Sequence, residues 1–365
     1  MSGEVPEGWS DEPLGEIADL IMGQSPPSST VKESGDGLPF IQGNAEFGSR
    51  HPSPRFVATS TPKVVHRGDV LISVRAPVGQ VNIAEGLLCI GRGVAGIRAK
   101  KCDPEFLFHA VGGLSRTFAR LSQGSTFDAI NGTELRSIDI RLPPLAEQRQ
   151  IAEVLGSVDE AIAASKAVER AIGIVFRRRR QELIEQARRA SPEVAVAAAL
   201  RKNRGEKRTK LQTDQYAVIG QYPIVDQGAR FVCGYTDEEG ALWPYDLPVI
   251  VFGDHTRILK FVDFPFVIGA DGTQCLTPAA GIRPRYLYYA LQSLDLRAEG
   301  YARHFKLLKE KTIPIPTPDE QESIEGELVS IETTESEARQ AIRRLEAVKL
   351  ALSFDLLSGR VRMLA

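Results

Sequence analysis

The chain of 365 residues is poor in the residue types that build disulfides, metal centres and membrane spans. Its four cysteines, Cys89, Cys102, Cys233 and Cys275, form no CxxC pair and have no histidine at ligand spacing. This favours reduced thiols in an intracellular protein and gives no metal site. No apolar run approaches the roughly 18 residues of a membrane span. The acidic, proline-bearing start MSGEVPEGWSDEP does not resemble a secretory signal, so we expect a cytoplasmic protein.

Catalytic motifs are lacking as well. The sequence has no Walker A lysine, no HExxH, no nucleophile elbow and no Asn/Asp-Pro-Pro-aromatic tetrad. GRGVAG (Gly91–Gly96) matches GxGxxG but stands between two strand-like runs with no helix behind it, so we interpret its glycines as hairpin glycines. Asp254 and His255 could form an acid–base pair, but no nucleophile lies nearby in the sequence. We therefore assign no catalytic residue and expect a binding protein rather than an enzyme.

What the chain does contain is a duplication, visible as three pairs of matching anchors. LPFIQGNAEFG (38–48) matches YPIVDQGARFVCG (222–234), and GDVLISVRAPVG (68–79) matches LPVIVFGDHTRIL (247–259). The third pair is LRSIDIRLPPLAEQ (135–148) with LKEKTIPIPTPDEQ (308–321). Between the anchors the halves differ greatly. Such a pattern indicates two copies of one structural unit.

Each half begins with short β-branched runs broken by glycine and proline, followed by short helical stretches, which is typical of a mixed α+β domain. Each half ends in one long helical pattern. The fold class predicted is thus α+β, with two tandem domains that are each followed by a long helix. The predicted boundaries are 1–144 for the first domain, 145–190 for its helix, 191–215 for a basic linker, 216–316 for the second domain and 317–365 for its helix.

The long helical segments carry apolar seams. The predicted seam residues are Ile151, Leu155, Val158, Ile162, Ile172, Phe176 and Leu183 in the first segment, and Ile324, Leu328, Ile331, Ala338, Ile342, Leu345, Leu352 and Leu356 in the second. In the second segment only Glu335 and Lys349 interrupt the heptad. A repeat of about 3.5 residues predicts that the two helices pair as an antiparallel coiled coil. The alternative is that each helix packs on its own domain.

The start of each long helix is also recognisable. Thr317-Pro318-Asp319-Glu320 predicts a capping box, whereas Pro144 occupies the N-cap place in the first copy and predicts a weaker cap. The first helix would be about 66 Å long at ~1.5 Å per residue, long enough to act as a spacer rod. We expect the apolar entrance LPPLAEQ to dock a partner, and its less apolar second copy to dock one differently.

The net charge of −2 excludes a generally polybasic nucleic-acid binder, yet basic segments stand out at 177–180, 201–210 and 303–311. Loops between the predicted strands carry Arg, Gln and Asn, which can grip base edges, and Ser, Thr and Lys, which hold phosphates. Our candidate DNA-binding residues are Gln42, Asn44, Arg50, Arg75, Arg92, Gln123, Ser125, Thr126 and Asn131 in the first half, and Gln227, Arg230, His255, Thr256, Arg257, Arg303, His304 and Lys306 in the second.

Two stretches, RGDVLISVRAPVGQVNIA…IGRGVAGIRAK and LPPLAEQRQIAEVLGSVDEAI, strongly resemble the specificity subunits of type I restriction–modification enzymes. Three more, PVIVFGDHTRILKFVDFPFVIGADGTQCL, GYARHFKLLKEKTIPIPTPDEQ and LALSFDLLSGRV, are similar to the second half of such subunits. The resemblance implies that each domain reads one half of a split double-stranded DNA target, and that the helix pair sets the unread gap.

The resemblance also implies partners. Two methyltransferase subunits would bind along the chain, and motor-nuclease subunits would join for cleavage in a phage-defence system. S-adenosylmethionine, ATP and magnesium would be bound by those partners, so no cofactor is expected in this chain. The alternative, from another functional class, is a coiled-coil scaffold whose domains bind proteins without DNA readout.

Overall fold

The computed structural model describes residues 4–114, 118, 129–201, 210–296 and 304–363. The chain divides into two compact units, Met1–Val168 with Ala338–Ala365, and Glu169–Glu337. Both boundaries fall inside the long helices, which the sequence had suggested were segments separate from the domains. Each unit thus combines one α+β domain with one end of each long helix.

The first unit holds a five-stranded sheet, a four-stranded sheet and a two-stranded pair. Its strands are β1 (Ser10–Pro13), β2 (Ala18–Met22), β3 (Val31–Lys32), β4 (Leu38–Ile41), β5 (Phe56–Ala58), β6 (Val64–Val65), β7 (Val70–Ser73), β8 (Val81–Ile83), β9 (Leu88–Ile90), β10 (Val94–Ala99) and β11 (Asp139–Leu142). The strand orders are β3-β5-β4-β9-β6, β2-β10-β7-β8 and β1-β11. β7 is buried throughout as VLIS because it lies inside its sheet.

The second unit holds two three-stranded sheets and one pair. Its strands are β12 (Glu193–Ala195), β13 (Tyr222–Val225), β14 (Gly234–Thr236), β15 (Val249–Gly253), β16 (Leu259–Val262), β17 (Val267–Ile268), β18 (Thr273–Leu276) and β19 (Thr312–Pro314). The orders are β14-β13-β17, β16-β15-β18 and β12-β19. β12 and the short helix after it lie inside the segment predicted as a linker. That part of the prediction is wrong, since β12 pairs with β19 and Val196 and Ala199 are buried.

The strand pairings reproduce the duplication seen in the sequence. β4 pairs in parallel with β9, and β13 pairs in parallel with β17. β7 lies between β8 and β10, all antiparallel, just as β15 lies between β16 and β18. The anchors therefore mark equivalent strands, and the α+β fold class is confirmed.

The helices of the described residues comprise short ones in the domains and two long ones. They are α1 (Leu14–Ile17), α2 (Pro104–Gly113), α3 (Gly132–Arg136), α4 (Leu145–Ala190), α5 (Val196–Ala199), α6 (Pro284–Gln292), α7 (His304–Glu310) and α8 (Pro318–Ser358). The α8 cap forms as predicted: Thr317 N donates to Glu320 Oε2 at 2.8 Å. Among the described residues, no helix is long and apolar enough to cross a membrane.

The long helices pack together in an antiparallel sense. Within the first unit, Asp159 pairs with Lys349 at 2.5 Å and Lys166 pairs with Glu346 at 2.7 Å, so positions rise on α4 as they fall on α8. Lys349, which interrupts the predicted seam, thus has a carboxylate partner on the facing helix. Ile162 and Ile342 lie at the level of these ion pairs and are both buried.

All predicted seam residues are buried or half-buried, but they do not all serve helix pairing alone. Ile151, Leu155 and Leu356 belong to the core of the first domain, with Leu352 packed against it. The core of the second domain includes the seam residues Phe176, Leu183, Ile324 and Leu328, with Ile331 packed against it. Both predicted alternatives therefore hold in part, because the helix ends pack on the domains while the interior positions pair.

Candidate nucleic-acid interfaces

In the first domain, backbone hydrogen bonds tie four chain segments into one edge. Gly93 N donates to Gln42 O at 3.2 Å, Val74 N donates to Gly93 O at 3.0 Å, and Ile130 N donates to Val74 O at 3.0 Å. These bonds join the chain after β4, the turn between β9 and β10, the end of β7 and the segment before α3. They bring together Gln42, Arg75, Arg92 and Asn131, and we call this surface, with Asn44, the first loop edge.

The turn between β9 and β10 allows these segments to approach closely. A Cβ on Gly93 would stand 2.6 Å from Gln42 O, so only glycine is accommodated there. The hairpin interpretation of GRGVAG is wrong. β9 pairs with β4 and β6, whereas β10 pairs with β2 and β7, so the turn passes from one sheet to the other. The prediction failed because a strand-turn-strand pattern does not reveal which sheet receives the second strand.

The side chains of the first loop edge differ in their freedom. Gln42, Arg75 and Arg92 are exposed, and within the described residues neither guanidinium forms an ion pair. Asn44 Nδ2 donates to Gln80 Oε1 at 3.4 Å, which adds an exposed amide that we did not predict. Asn131 Oδ1 accepts from Thr133 N at 2.9 Å and from the next amide, so its oxygen caps α3.

Arg50 contacts residues of α2 and is not part of the first loop edge. Its guanidinium pairs with Glu105 and stands 5.0 Å from the Phe108 ring centroid. These contacts account for an arginine at this position without a role in DNA binding. Gln123, Ser125 and Thr126 lie outside the described residues, as does Arg303 in the second half.

In the second domain, the turn from Asp254 to Arg257 organises an equivalent edge. Thr256 Oγ1 donates to Gln227 O at 2.5 Å, and His255 N donates to Gln227 Oε1 at 3.3 Å. A Cβ on Gly253 would stand 2.1 Å from Thr256 Oγ1, so glycine is required for the turn to fold back. We call the surface of Gln227, Arg230, His255, Thr256 and Arg257 the second loop edge.

The second loop edge rests on two buried charged groups. Asp254 is 5% exposed, and it accepts from His304 N at 3.0 Å and from Phe305 N at 2.7 Å. Lys260 is 3% exposed, and its Nζ donates to Asp226 O at 2.7 Å and Arg230 O at 2.5 Å. Burial lowers the pKa of Lys260, although Asp226 opposes that shift. These groups fix the loops that carry the exposed side chains.

The prediction that His304 is a DNA-binding surface residue is wrong. Its side chain is buried, with the residue only 4% exposed, because the start of α7 is anchored under Asp254. The basic run RHFK suggested a surface residue, but His304 N donates a hydrogen bond to the buried Asp254, and this position lies inside the domain. Lys306 on the same helix is exposed and remains a candidate.

Metal and thiol chemistry add no further site to these edges. Within the described ranges, no group of three or more His, Cys, Asp and Glu side chains is arranged to hold a metal ion. All four cysteines are free thiols. Burial raises the pKa of Cys102 to about 11, and of Cys275 to about 12. Thiols with such pKa values are mostly protonated and unreactive at neutral pH.

Comparison with known proteins identifies this architecture. Residues 6–172 match the model of the type I restriction modification DNA specificity domain. The chain is 41% identical over 203 residues to a protein of Methanocaldococcus jannaschii provisionally assigned as the type I restriction enzyme MjaX specificity subunit, covering 54% of this chain and 45% of that one. It is 29% identical over 177 residues to the MjaIX specificity subunit of the same organism, covering 45% and 41%.

A solved structure matches nearly the whole chain. The S subunit of the type I restriction-modification system from M. genitalium covers 97% of this chain and 98% of its own, with a TM-score of 0.61 at 15% identity, which establishes a shared fold. The chain spans less than half the length of the two M. jannaschii relatives. Residues 6–172 thus match the DNA specificity domain of type I restriction–modification systems, and the fold of the chain is shared with an S subunit of such a system.

Proposed function

We propose that this chain reads a bipartite double-stranded DNA sequence for a type I restriction–modification complex, one half-site per domain. The observation that carries the proposal is the duplicated loop edge. In the second domain, the chain after a parallel-paired strand is hydrogen-bonded to the turn after the central antiparallel strand, and in the first domain the two equivalent segments both bond to Gly93 between them. Two equivalent platforms in one chain suit a target with two half-sites.

The exposed groups on these platforms suit readout of a duplex. Arg75 and Arg92 present guanidinium groups that can bind guanine N7 and O6 in the major groove, and the Gln42 amide can pair with adenine. Lys306 and Arg230 provide charge for phosphates, which set register without selecting sequence. The hydrogen bonds behind these side chains fix the loops that carry them before DNA binds, which lowers the backbone entropy lost on binding.

The remaining activities are assigned to partners. Two methyltransferase subunits and the motor-nuclease subunits would assemble on the chain and would bind S-adenosylmethionine, ATP and magnesium. Leu145, at the entrance of α4, is 47% exposed and offers an apolar contact for such a partner. Purified chain incubated with DNA, magnesium, ATP and S-adenosylmethionine should neither cleave nor methylate, and turnover without partners would contradict this assignment.

The proposal is tested by sequencing the methylome of cells with and without the gene. Deletion should remove one split, adenine-methylated motif. Arg75→Ala and Arg257→Ala should each weaken methylation at one half of the motif, whereas Arg178→Ala, which removes an exposed arginine paired with Glu182 on α4, should not. If the motif persists on deletion, or if both arginine variants keep full methylation of the motif, a protein-binding scaffold becomes the better explanation.

A further inference from the structure

The basic run at 177–180 on α4 contains one arginine whose environment differs from that of its neighbours. Arg178 pairs with Glu182 at 2.9 Å, and Arg179 pairs with Glu327. Arg180 has no carboxylate partner among the described residues. Its Nη1 donates to Gln292 Oε1 at 2.7 Å, and its buried Nε has no hydrogen-bond partner within the described part of the chain.

Arg180 lines a cavity of about 420 Å³ together with Arg257 of the second loop edge. That volume lies within the roughly 300–1,000 Å³ typical of small-ligand sites. The other lining residues are Thr256, Leu259, Leu291, Gln292, Leu294 and Leu296. The described lining thus holds two guanidinium groups, one hydroxyl and one amide, and it holds no carboxylate.

The surroundings of these cations favour an anion. Burial lowers the pKa of Arg180 and Arg177 acts in the same direction, while Tyr288 and Glu332 oppose that shift, and an arginine stays protonated at neutral pH. Arg180 is half-buried at the cavity, so its attraction to an anion is screened less than that of a fully exposed arginine. A buried donor without a partner destabilises the protein, so a ligand that accepts from Arg180 Nε would relieve that cost.

The backbone of Arg257 adds a second observation. Its φ of 62° lies in the left-handed region, which is unfavourable for a residue with a Cβ. The turn holds it there, since Arg257 N donates to Gly253 O at 2.8 Å and Gly253 N donates to Ile258 O at 2.9 Å. Its Nη1 donates to Leu296 O at 2.7 Å, which fixes the guanidinium at the wall of the cavity. Strain retained at a ligand-facing position indicates function.

We propose that Arg180 and Arg257 form a phosphate-binding site, with Thr256 and Gln292 as neutral neighbours. A tetrahedral phosphate can accept from two guanidinium forks at once. The phosphate can belong to the DNA backbone, in which case α4 contacts the target as well as spacing it, and this source rests on the proposed function. It can also be a free inorganic or nucleotide phosphate.

The test compares full-length wild type, Arg180→Gln and the matched control Arg178→Gln. DNA affinity is measured against salt concentration, on a duplex with the methylated motif and on a scrambled duplex. If the site holds a backbone phosphate, Arg180→Gln should reduce the slope of log K against log salt by about one on both duplexes, because one phosphate contact is lost. Arg178→Gln should leave the slope unchanged, and Arg180→Lys should restore part of it.

A second experiment measures by calorimetry the binding of inorganic phosphate and of inorganic pyrophosphate to the same proteins. Binding to the wild type that disappears in Arg180→Gln and in Arg257→Gln, with an unchanged DNA slope, assigns the site to a free phosphate. An unchanged slope together with no phosphate binding overturns the site. Far-UV circular dichroism shows whether each variant is folded. If Arg180→Gln does not fold, Arg257→Gln replaces it in both experiments. If the wild type binds no DNA, the proposed function is contradicted. Calorimetry with phosphate would then still show whether Arg180 and Arg257 bind phosphate.

Discussion

The entrances of the two long helices share a glutamine that makes two equivalent contacts in both copies, and Gln321 Nε2 also donates to Gly281 O at 3.1 Å. Gln148 Nε2 donates to Pro143 O at 2.7 Å, and its Oε1 accepts from Asp103 N at 2.7 Å. Gln321 Nε2 donates to Pro316 O at 3.0 Å, and its Oε1 accepts from Arg283 N at 2.8 Å. Asp103 and Arg283 are the N-cap residues of α2 and α6, so each glutamine joins a long helix to its domain.

The glutamate before each glutamine differs between the copies. Glu147 is 5% exposed and accepts from Trp9 Nε1 at 2.9 Å, from Arg362 and from Met363 N at 3.0 Å. Glu320 is exposed and caps its own helix through Thr317. The duplication therefore preserves the glutamine that fixes the domain, while the glutamate has taken a new role where residues near both chain ends meet. Glu147 and Gln148 are buried, so docking at this entrance would use its exposed residues, such as Leu145.

The largest effect should come from breaking the shared contact. Gln148→Met and Gln321→Met keep similar volume but leave a buried N–H and a buried C=O without partners. Each variant should lose about 2 to 5 kcal/mol of unfolding free energy. The loss should be similar in both copies, as measured by urea denaturation with probes in each domain.

Gln181, which is exposed on α4, provides the control. Gln181→Met should change the unfolding free energy by less than about 0.5 kcal/mol. If either entrance variant behaves like this control, the glutamine of that copy is not a structural link.

The second effect should separate the copies. Glu147→Gln replaces the carboxylate that binds Arg362 and should cost about 1 to 3 kcal/mol, because hydrogen bonds to charged groups are the stronger ones. Glu320→Gln should cost clearly less than Glu147→Gln, since glutamine also serves in a capping box and the site is exposed. Equal losses in thermal or urea unfolding would contradict the different roles of the two glutamates.

The same comparison predicts a pH dependence. Burial alone would raise the pKa of Glu147, but Arg362, Met363 N and Trp9 together hold it below the usual 4.5. A carboxyl whose folded pKa is depressed contributes stability that is present above its unfolded pKa and is lost as pH falls through the folded pKa. The difference in unfolding free energy between wild type and Glu147→Gln should therefore shrink on acidification below 4.5. A difference that stays constant would show that the charge of Glu147 does not matter.

The entrances also show which features could be predicted from the sequence. The Thr317–Glu320 cap was predictable because all its contacts lie within four residues. The glutamine contact was not, because Asp103 and Gln148 are 45 positions apart and nothing local indicates that Gln148 is buried. The loop edges were predicted in kind, since polar residues follow the strands. The inward turn of His304 depends on Asp254, fifty positions earlier in the chain, and no periodicity reports it.

The smallest effect should come from the ion pairs between the long helices. Lys166–Glu346 in the first unit and Arg179–Glu327 in the second join facing helices, but all four side chains are about one-third to one-half exposed. Solvent screening limits such pairs to about 0.2–1 kcal/mol. Double-mutant cycles with Lys166→Ala and Glu346→Ala, and with Arg179→Ala and Glu327→Ala, should give coupling energies in that range that fall as salt is raised. A coupling above about 2 kcal/mol in only one unit would mean that the helices depend on charge there, whereas the buried seam residues predict that apolar packing holds both ends alike.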